Sequence, residues 1–318
     1  MKNKIKYSLL LCSLTLSADE LSISFYNDFF AGSDKQFTNG VALYWLDDNK
    51  KESSYTKFIL NNINLDTNKN YNAGLSVRQV ITTPSDKKFT TPQYNDMPYA
   101  GYLSLATYLL QYDSESFNEY SLELGVTGRA SLAGFIQKNF HKLIGDTQPK
   151  GWDTQLKTQY IVNLLIQRGD KTWQKQIKKD LSADWFNNFG FTLGNFKTSA
   201  FISSMFRIGH NYNNNFNTHY PYLKEEASLV EIKEHKGFGW SLSSGINAEL
   251  LASSYILDEG YNSGYDTDKK LINGSLYLGG SLYFDEQKIS LFYEAQSSYI
   301  KNSNSFDVFG GILYSYRF

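Results

Sequence analysis

The sequence has little cysteine, and its one cysteine, Cys12, lies in the first 18 residues. A disulfide framework and a cysteine-based zinc site are therefore excluded for the rest of the chain. Beyond the amino-terminal segment, no stretch has the roughly 20 consecutive apolar residues that a membrane helix needs. Charge of one sign is not in excess either. The formal net charge is −1, and nothing in the charge pattern indicates a nucleic-acid partner.

The amino terminus has the order of a secretory signal peptide. Three lysines precede an apolar run over 7–16, which is too short to span a bilayer, and the small residues Ser17 and Ala18 follow it. We therefore predict a signal peptide over 1–18 and a mature domain over 19–318. Removal of the signal peptide takes away three lysines and no acidic residue, which moves the formal charge from −1 to −4. A lipoprotein signal at Cys12 is the alternative, disfavoured by the bulky Leu11 before it.

Aromatic residues are abundant: 24 Tyr, 22 Phe and 5 Trp make up 16% of the chain. The mean hydropathy is nevertheless negative, at −0.42. This combination is typical of outer-membrane β-barrels, in which a lipid-facing wall with aromatic girdles encloses a polar interior. It predicts a location in the outer membrane of a Gram-negative bacterium.

Alternating side chains support this class, because a barrel strand turns every second residue toward lipid. Apolar and polar residues alternate over 120–127 and again over 308–318, where the chain ends on Phe318. Ten further strands are predicted over 20–30, 36–46, 71–82, 99–110, 151–166, 183–195, 196–209, 236–252, 270–283 and 286–299. The total of about twelve is even, as single-chain bacterial barrels require. We predict an all-β fold, a transmembrane antiparallel barrel, with 260–268 among its loops.

One segment, over 131–145, breaks the β pattern. Its apolar residues recur at helical spacing, and Gly145 can terminate a helix. We therefore predict a short amphipathic helix beside the barrel wall. His141 is the one histidine on it, with Gln137 one turn earlier on the same face, where it can help to position the imidazole. The alternative is a purely structural helix.

The first predicted hairpin carries polar residues near one rim. Asn27 falls on the apolar face of its strand, where an amide is costly unless it has a partner or a task. Asp28 and Thr38 fall on the opposite, polar face of two adjacent strands. These residues form either part of a site or a hairpin cap with Asx turns, and the spacing alone does not decide between them.

Three blocks resemble the motifs of the calcium-dependent lipid A 3'-O-deacylase family. The segment 27–40 is similar to the family's Asn-Asp to Tyr-Thr-Asn-Gly signature, with Phe37 in place of Tyr. The segment 96–101 is similar to Asp-Arg-Pro-Tyr-Ala-Gly, with Met97 in place of Arg. The segment 125–152 is similar to the helix-bearing block, with Arg129 in place of the common Pro. The blocks lie in order in about the first half of the mature chain.

The resemblance implies a barrel of about twelve strands whose active site, near the outer rim, removes the 3'-linked acyloxyacyl group of lipid A. The family's functional residues fall on Asn27, Asp28, Thr38 and His141. His141 would activate water as a general base, and a Ca²⁺ ion held by Asp28 would stabilise the oxyanion. A family acid six residues after the histidine falls on Thr147, which cannot act as a carboxylate, and the adjacent Asp146 is its candidate substitute.

The expected partners are lipopolysaccharide and the outer membrane, and the chain is expected to be a monomer. Lys87 and Lys88 are candidates for contact with lipid A phosphates. Two other classes stay open. One is an outer-membrane phospholipase with a serine nucleophile, for which no motif selects a serine. The other is a passive pore or structural barrel, which the changes at Met97, Arg129 and Thr147 keep in view.

Overall fold

We describe a computed structural model of the chain over residues 20–27, 36–47, 69–212, 216, 236–303 and 305–318. The predicted signal peptide over 1–18 and the candidate ligand Asp28 lie outside these residues. The backbone of 36–38 is described, but the side chains of those three residues, Thr38 among them, are not.

Twelve antiparallel strands close into one barrel, in which β1 pairs with β12. The predicted all-β barrel of about twelve strands is therefore confirmed. The strands are β1 (Glu20–Asn27), β2 (Gln36–Asp47), β3 (Asn70–Thr83), β4 (Ala100–Tyr112), β5 (Ser116–Thr127), β6 (Tyr160–Lys178), β7 (Leu181–Gly194), β8 (Lys197–His210), β9 (Phe238–Ser254), β10 (Ile272–Phe284), β11 (Gln287–Ser297) and β12 (Phe306–Arg317).

The two faces of the wall differ as a lipid-facing barrel requires. On β5, Leu122 and Leu124 are exposed, whereas Glu119 and Glu123 are buried in the lumen. Several charged groups inside the lumen form ion pairs, which lowers the cost of burying them. The luminal ion pairs, with their N to O distances, are Arg207–Asp184 at 2.7 Å, Lys197–Glu249 at 2.6 Å and Arg78–Glu123 at 3.3 Å.

Two short helices lie at one rim, α1 (Ala133–Ile144) after β5 and α2 (Tyr255–Asn262) after β9. The opposite rim carries the described chain ends, where Glu20 pairs with Arg317. None of the helices in the described part of the chain has the length and apolar character needed to cross a membrane.

The sequence predictions fail at two places on the helix-bearing rim. The predicted strand over 151–166 is wrong in its first part, because Trp152–Thr154 forms a 3₁₀ turn and β6 begins only at Tyr160. The buried Trp152 packs against Tyr99, and this tertiary contact holds the turn outside the sheet. The second miss is α2, which overlaps the predicted loop over 260–268. Its apolar start is too short for a helical period to be distinguished from the end of a strand.

Candidate active site

The helix α1 lies on the outer surface of the wall, over β3 and β4. Gly101 permits this approach: it faces outward on β4, and a Cβ added there would collide with Ala133 Cβ and Ser131 Oγ. Its β3 partner, Ile81, is buried beneath the helix in a cluster with Tyr99, Ala133 and Trp152. A glycine in the wall therefore creates the contact between barrel and helix.

The predicted helix is confirmed, but its polarity is the reverse of that of a helix on a water-soluble protein. The buried residues are Ala133, Gln137 and His141, four positions apart. The apolar side chains point away from the wall, and Phe135 is 69% exposed and Leu143 82% exposed. Because the surroundings of the outer wall are lipid, the apolar face is stable there. The polar face is then sealed against the barrel.

Buried aromatic residues hold the helix in place. Trp152 lies 5.1 Å from Tyr99, centroid to centroid, and its Nε1 donates a hydrogen bond to Gln137 Oε1 at 2.7 Å. Burial raises the pKa of Tyr99, whose hydroxyl donates to the Lys87 carbonyl at 3.4 Å. Helical spacing predicts Gln137 as the residue that positions His141. The described contacts place Gln137 on Trp152 instead.

His141 is 5% exposed and is held through one ring nitrogen. Its Nδ1 lies 2.6 Å from the Thr147 carbonyl oxygen and 3.2 Å from Asp146 Oδ2. Since a carbonyl oxygen can only accept, the neutral ring carries its proton on Nδ1 and leaves Nε2 free of one. Gly145, at φ 73°, ends the helix and turns the chain so that these residues reach the imidazole. The arrangement can accept a proton at Nε2.

The outward row of residues that includes Ile81 and Gly101 continues toward β1. Asn39 on β2 pairs with Ile81, and Asn27 follows Tyr26, whose β2 partner is Gly40. Asn27 lies on the same side as the exposed Ile23, so the structure places it on the outer face that alternation predicts. Neighbouring strands are about 4.8 Å apart. Asn27 and the helix-covered Ile81 are thus two strand spacings apart on one surface.

Thr38 lies at a β-bulge. Phe37 pairs with Thr82 and Asn39 with Ile81, which leaves Thr38 as the extra residue between them. Bulges are frequent beside active sites, because they redirect a side chain. The bulge also interrupts the strict alternation from which a shared face for Thr38 and Asp28 was predicted. The side chains of Thr38 and Asp28 are not among those described, so their shared face stays a prediction.

The same part of the wall has two oxygens without a hydrogen-bond partner among the described residues, Asn39 Oδ1 and Gln79 Oε1. Gln79 also faces outward, two residues before Ile81, and its Nε2 donates to the Tyr102 carbonyl at 3.2 Å. Amide oxygens are ligands that calcium accepts. Within the described ranges, no three His, Cys, Asp or Glu side chains form a metal cluster. The available oxygens fit a hard cation, with Asp28 as the candidate carboxylate.

The candidate phosphate-binding lysines occupy different environments. Lys87 is 7% exposed, and its carbonyl accepts a hydrogen bond from the Lys150 amide at 2.9 Å. Lys88 is exposed, and its amide donates to Asp86 Oδ1 at 2.9 Å. Only Lys88 therefore offers an open surface for a ligand in this conformation.

Three of the four departures from the family pattern have described side chains, and Phe37 is the one that does not. Met97 packs, partly buried, against the cluster of Leu156, Tyr255 and Ile256. Arg129 is exposed and lies 3.5 Å from Asp153, a surface ion pair of little energetic weight. At Thr147 the backbone carbonyl, and not a side chain, contacts His141. None of these changes removes a described contact of the imidazole.

Sequence reasoning assigned no role to Trp152, Gln79 or Asn39. Trp152 and Asn39 lie in the motif blocks, so the motifs were the sequence signal that indicated a role for them. A motif does not reveal a hydrogen-bond partner, however. Gln79 lies in an ordinary alternating strand. The amide stands in the lipid-facing register, where a polar residue is uncommon, and that position was its only sequence signal.

Comparison with known proteins agrees with this architecture. A family model described as outer membrane protein LpxR matches residues 7–318. The structure of LpxR from Salmonella typhimurium has a TM-score of 0.78 and 16% identity, and the match covers 94% of this chain and 100% of that one. This similarity shows the fold. No curated protein sequence matches the chain.

Two further barrel structures show weaker similarity. The beta domain of the Bordetella autotransporter Brka has a TM-score of 0.47 at 9% identity, covering 94% of this chain and 98% of that one. The outer membrane enzyme PagL has a TM-score of 0.27 at 10% identity, covering 49% and 91%. Similarity at this level carries no weight for function. Because the family model spans nearly the whole chain, this protein belongs to the family of outer membrane protein LpxR, the lipid A 3'-O-deacylases, and is an ester hydrolase of the outer membrane.

Proposed function

We propose that this protein hydrolyses the 3'-O-linked acyloxyacyl ester of lipid A in the outer leaflet, with water as the nucleophile and His141 as the general base. One observation carries the proposal. The imidazole is sealed between α1 and the outer wall, and its Nδ1 is held by the Thr147 carbonyl at 2.6 Å. A histidine fixed in this tautomer presents Nε2 as a proton acceptor.

The chemical step follows from that tautomer. Nε2 accepts a proton from a water molecule while the water oxygen bonds to the ester carbonyl carbon. The imidazolium then donates the proton to the 3' oxygen as the carbon–oxygen bond breaks. The products are the acyloxyacyl group, released as a carboxylic acid with its secondary ester intact, and a 3'-hydroxyl on the disaccharide. No covalent acyl-enzyme forms, so no serine nucleophile is required.

Asp146 and Thr147 together support the charged state of the base. When Nε2 takes a proton, the ring becomes cationic, and Asp146 Oδ2 lies 3.2 Å from Nδ1. A carboxylate at this distance interacts favourably with the positive charge that the ring carries during the reaction. Asp146 is therefore the proposed substitute for the family acid at the Thr147 position. Its side chain is 48% exposed, so solvent screens part of this effect.

Calcium is the proposed cofactor. Asp28 would supply a carboxylate and Asn39 Oδ1 an amide oxygen, with backbone carbonyls completing an oxygen shell. When bound, the ion polarises the ester carbonyl and stabilises the negative charge on its oxygen. Asn27 and Thr38 are proposed to orient the attacking water or the carbonyl. Asn27 lies in the outer-wall row, and Thr38 lies at the bulge beside it.

In this proposal the substrate reaches the site between α1 and the outer wall from the membrane. The exposed apolar face of α1 lies in the outer leaflet beside the acyl chains, and Lys88, the exposed one of the two candidate lysines, is the proposed contact for lipid A phosphates. The alternative of an open pore is not favoured, because the described lumen contains ion pairs and, near the helix-bearing rim, a buried cluster that includes Tyr102, Phe196 and Tyr255. We propose that the protein acts as a monomer.

The decisive test is mass spectrometry of lipid A from cells with and without the protein. Expression should produce a species that lacks the mass of one acyloxyacyl group, and chelation of divalent ions should abolish its formation. Calcium should restore the activity. Unchanged lipid A, or loss of a phospholipid acyl chain instead, would contradict the proposal. An acylated serine trapped on the protein would assign it to the phospholipase class.

A further inference from the structure

Gln137 has a buried amide nitrogen for which the described residues provide no acceptor. The side chain is 3% exposed, and no hydrogen-bond partner of Nε2 lies among the residues described. A donor buried without an acceptor loses the water it would otherwise bond and gains nothing in return. Folded proteins rarely keep such a group unless it has a ligand or a task.

The orientation of this amide is determined by its neighbour. The indole Nε1 of Trp152 can only donate, so the atom that it contacts at 2.7 Å must be Gln137 Oε1. The amide nitrogen consequently faces away from the indole. Trp152 itself has little freedom, since it packs against Tyr99, and a Cβ added at Gly134 would lie 2.9 Å from its ring.

The position of Gln137 relative to the base is set by the helix. Gln137 and His141 are four residues apart and share the buried face of α1. At this spacing the Cβ atoms of two side chains are about 5–6 Å apart. The distance from His141 Nε2, through a bound water molecule, to the carbonyl group that the water attacks is similar to this Cβ separation. Because Nδ1 contacts residues 146 and 147 beyond the carboxyl end of α1, Nε2 faces away from them.

We propose that Gln137 is a further catalytic residue, whose Nε2 donates a hydrogen bond to the ester carbonyl oxygen, and that Trp152 is the residue that positions it. This inference rests on the function proposed above. As water adds to the carbonyl carbon, the π electron pair moves onto the oxygen, and the N–H of Gln137 stabilises the resulting negative charge. The pair returns when the bond to the 3' oxygen breaks. Gln137 is chemically unchanged throughout.

The main variant is Gln137→Glu, which keeps an acceptor for Trp152 but has no N–H to donate. We expect kcat to fall by about 10²-fold to 10³-fold, the usual effect of losing one oxyanion donor, with KM nearly unchanged. The calcium concentration that gives half-maximal activity is compared in the uncharged double variant described below, where it should not change. Heat-modifiable migration on gels measures folding independently.

Three further variants separate donation from charge and from packing. The double variant Gln137→Met/Trp152→Phe removes both partners of the hydrogen bond without adding a charge, and kcat should fall as far as in Gln137→Glu. Trp152→Phe alone should cause a smaller fall in kcat, because the donor remains but its orientation is not held. Asn139→Met, an exposed amide on the same helix, is the matched control and should keep wild-type kcat.

The possible outcomes are distinct. A folded double variant with wild-type kcat would overturn the inference, and so would a rise in KM with unchanged kcat. If His141→Ala is inactive in the same assay, the proposed function survives that result. A wild-type protein that leaves lipid A intact would overturn both.

Discussion

The two helices lie at the same rim, but they face different surroundings. α2 covers the lumen: its Tyr255 stacks on Phe196, which in turn stacks on the inward-facing Tyr102 at 3.9 Å. It buries apolar side chains, as a helix on a soluble protein does. α1 lies on the outer wall and buries Gln137 and His141 while exposing phenylalanine and leucine.

The difference shows that the side of the wall on which an amphipathic helix lies determines whether its polar or its apolar face is buried. Over the lumen, the polar residues of α2 form ion pairs with loops: Asp258 with Lys269, and Glu259 with Lys157 at 2.8 Å. On the outer wall lipid surrounds the helix, so the protein surface is the more polar neighbour. This reversal buries a histidine on the outer, lipid-facing side of the wall. We therefore expect α1 to determine activity and α2 to determine stability.

The largest expected effect is on catalysis at α1. His141→Ala should lower deacylation by about 10²-fold to 10⁴-fold, the range of a lost general base, and leave the barrel folded. Mass spectrometry of lipid A measures the rate. His210→Ala, at the opposite rim, is the matched control, and normal activity in His141→Ala would disprove the assignment.

The next largest expected effect is on stability, and it compares the two helices by a Leu→Ala substitution in each. Leu257→Ala on α2 removes a side chain that is 3% exposed, and it should lower the free energy of unfolding by about 2–5 kcal/mol. Leu143→Ala on α1, at a position 82% exposed to lipid, should leave that free energy nearly unchanged. Urea unfolding in lipid vesicles, followed by tryptophan fluorescence, provides the comparison. Equal destabilisation by the two variants would contradict it.

A third test displaces α1 without touching its side chains. Gly101→Ala places a methyl group too close to Ala133 Cβ and Ser131 Oγ, so the helix must shift away from the wall. A misplacement of about 1 Å can cost about 10²-fold in rate, so we expect a loss of activity of that order with the barrel intact. Gly280→Ala is the control, because its Cβ would approach Leu242 Cδ2 at 3.4 Å, an ordinary contact. Full activity in Gly101→Ala would show that the site between α1 and the outer wall tolerates movement.

The smallest expected effect concerns the surface ion pairs of α2. A hydrogen bond from Lys157 to Glu259 raises the pKa of the lysine, whose ordinary value is 10.5. A raised pKa means that the pair stabilises the fold while Lys157 is charged and ceases to do so as the pH rises through the raised value. Glu259→Gln should therefore lower the melting temperature only slightly at neutral pH. The difference from wild type should vanish above the pKa of Lys157, and a difference that grows with pH would contradict this account.

Local pattern in the sequence was sufficient for the barrel. Alternation in 120–127 and 308–318 follows directly from a wall between lipid and a polar lumen, and both segments are strands. The helical period over 131–145 likewise predicted α1 to within two residues at each end. These features depend on neighbours in sequence, which a single chain displays.

Long-range contacts determined the rest. The 3₁₀ turn at Trp152 exists because the indole is buried against Tyr99, and a prediction from local propensity places a strand there. The partner of Gln137 was missed for the same reason, since Trp152 is 15 residues away in sequence. The bulge at Thr38 depends on the register between β2 and β3, which composition does not specify.

The sequence by itself determined the class of the protein, an outer-membrane barrel with a helix that carries His141, because alternation, helical period and motif order are properties of the linear chain. Only the tertiary structure decided which face of that helix is buried and which atoms hold the imidazole. The spacing of apolar residues along a helix defines an apolar face but not the medium that the face meets. That medium is known only once Gly101 places the helix on the lipid side of a closed wall.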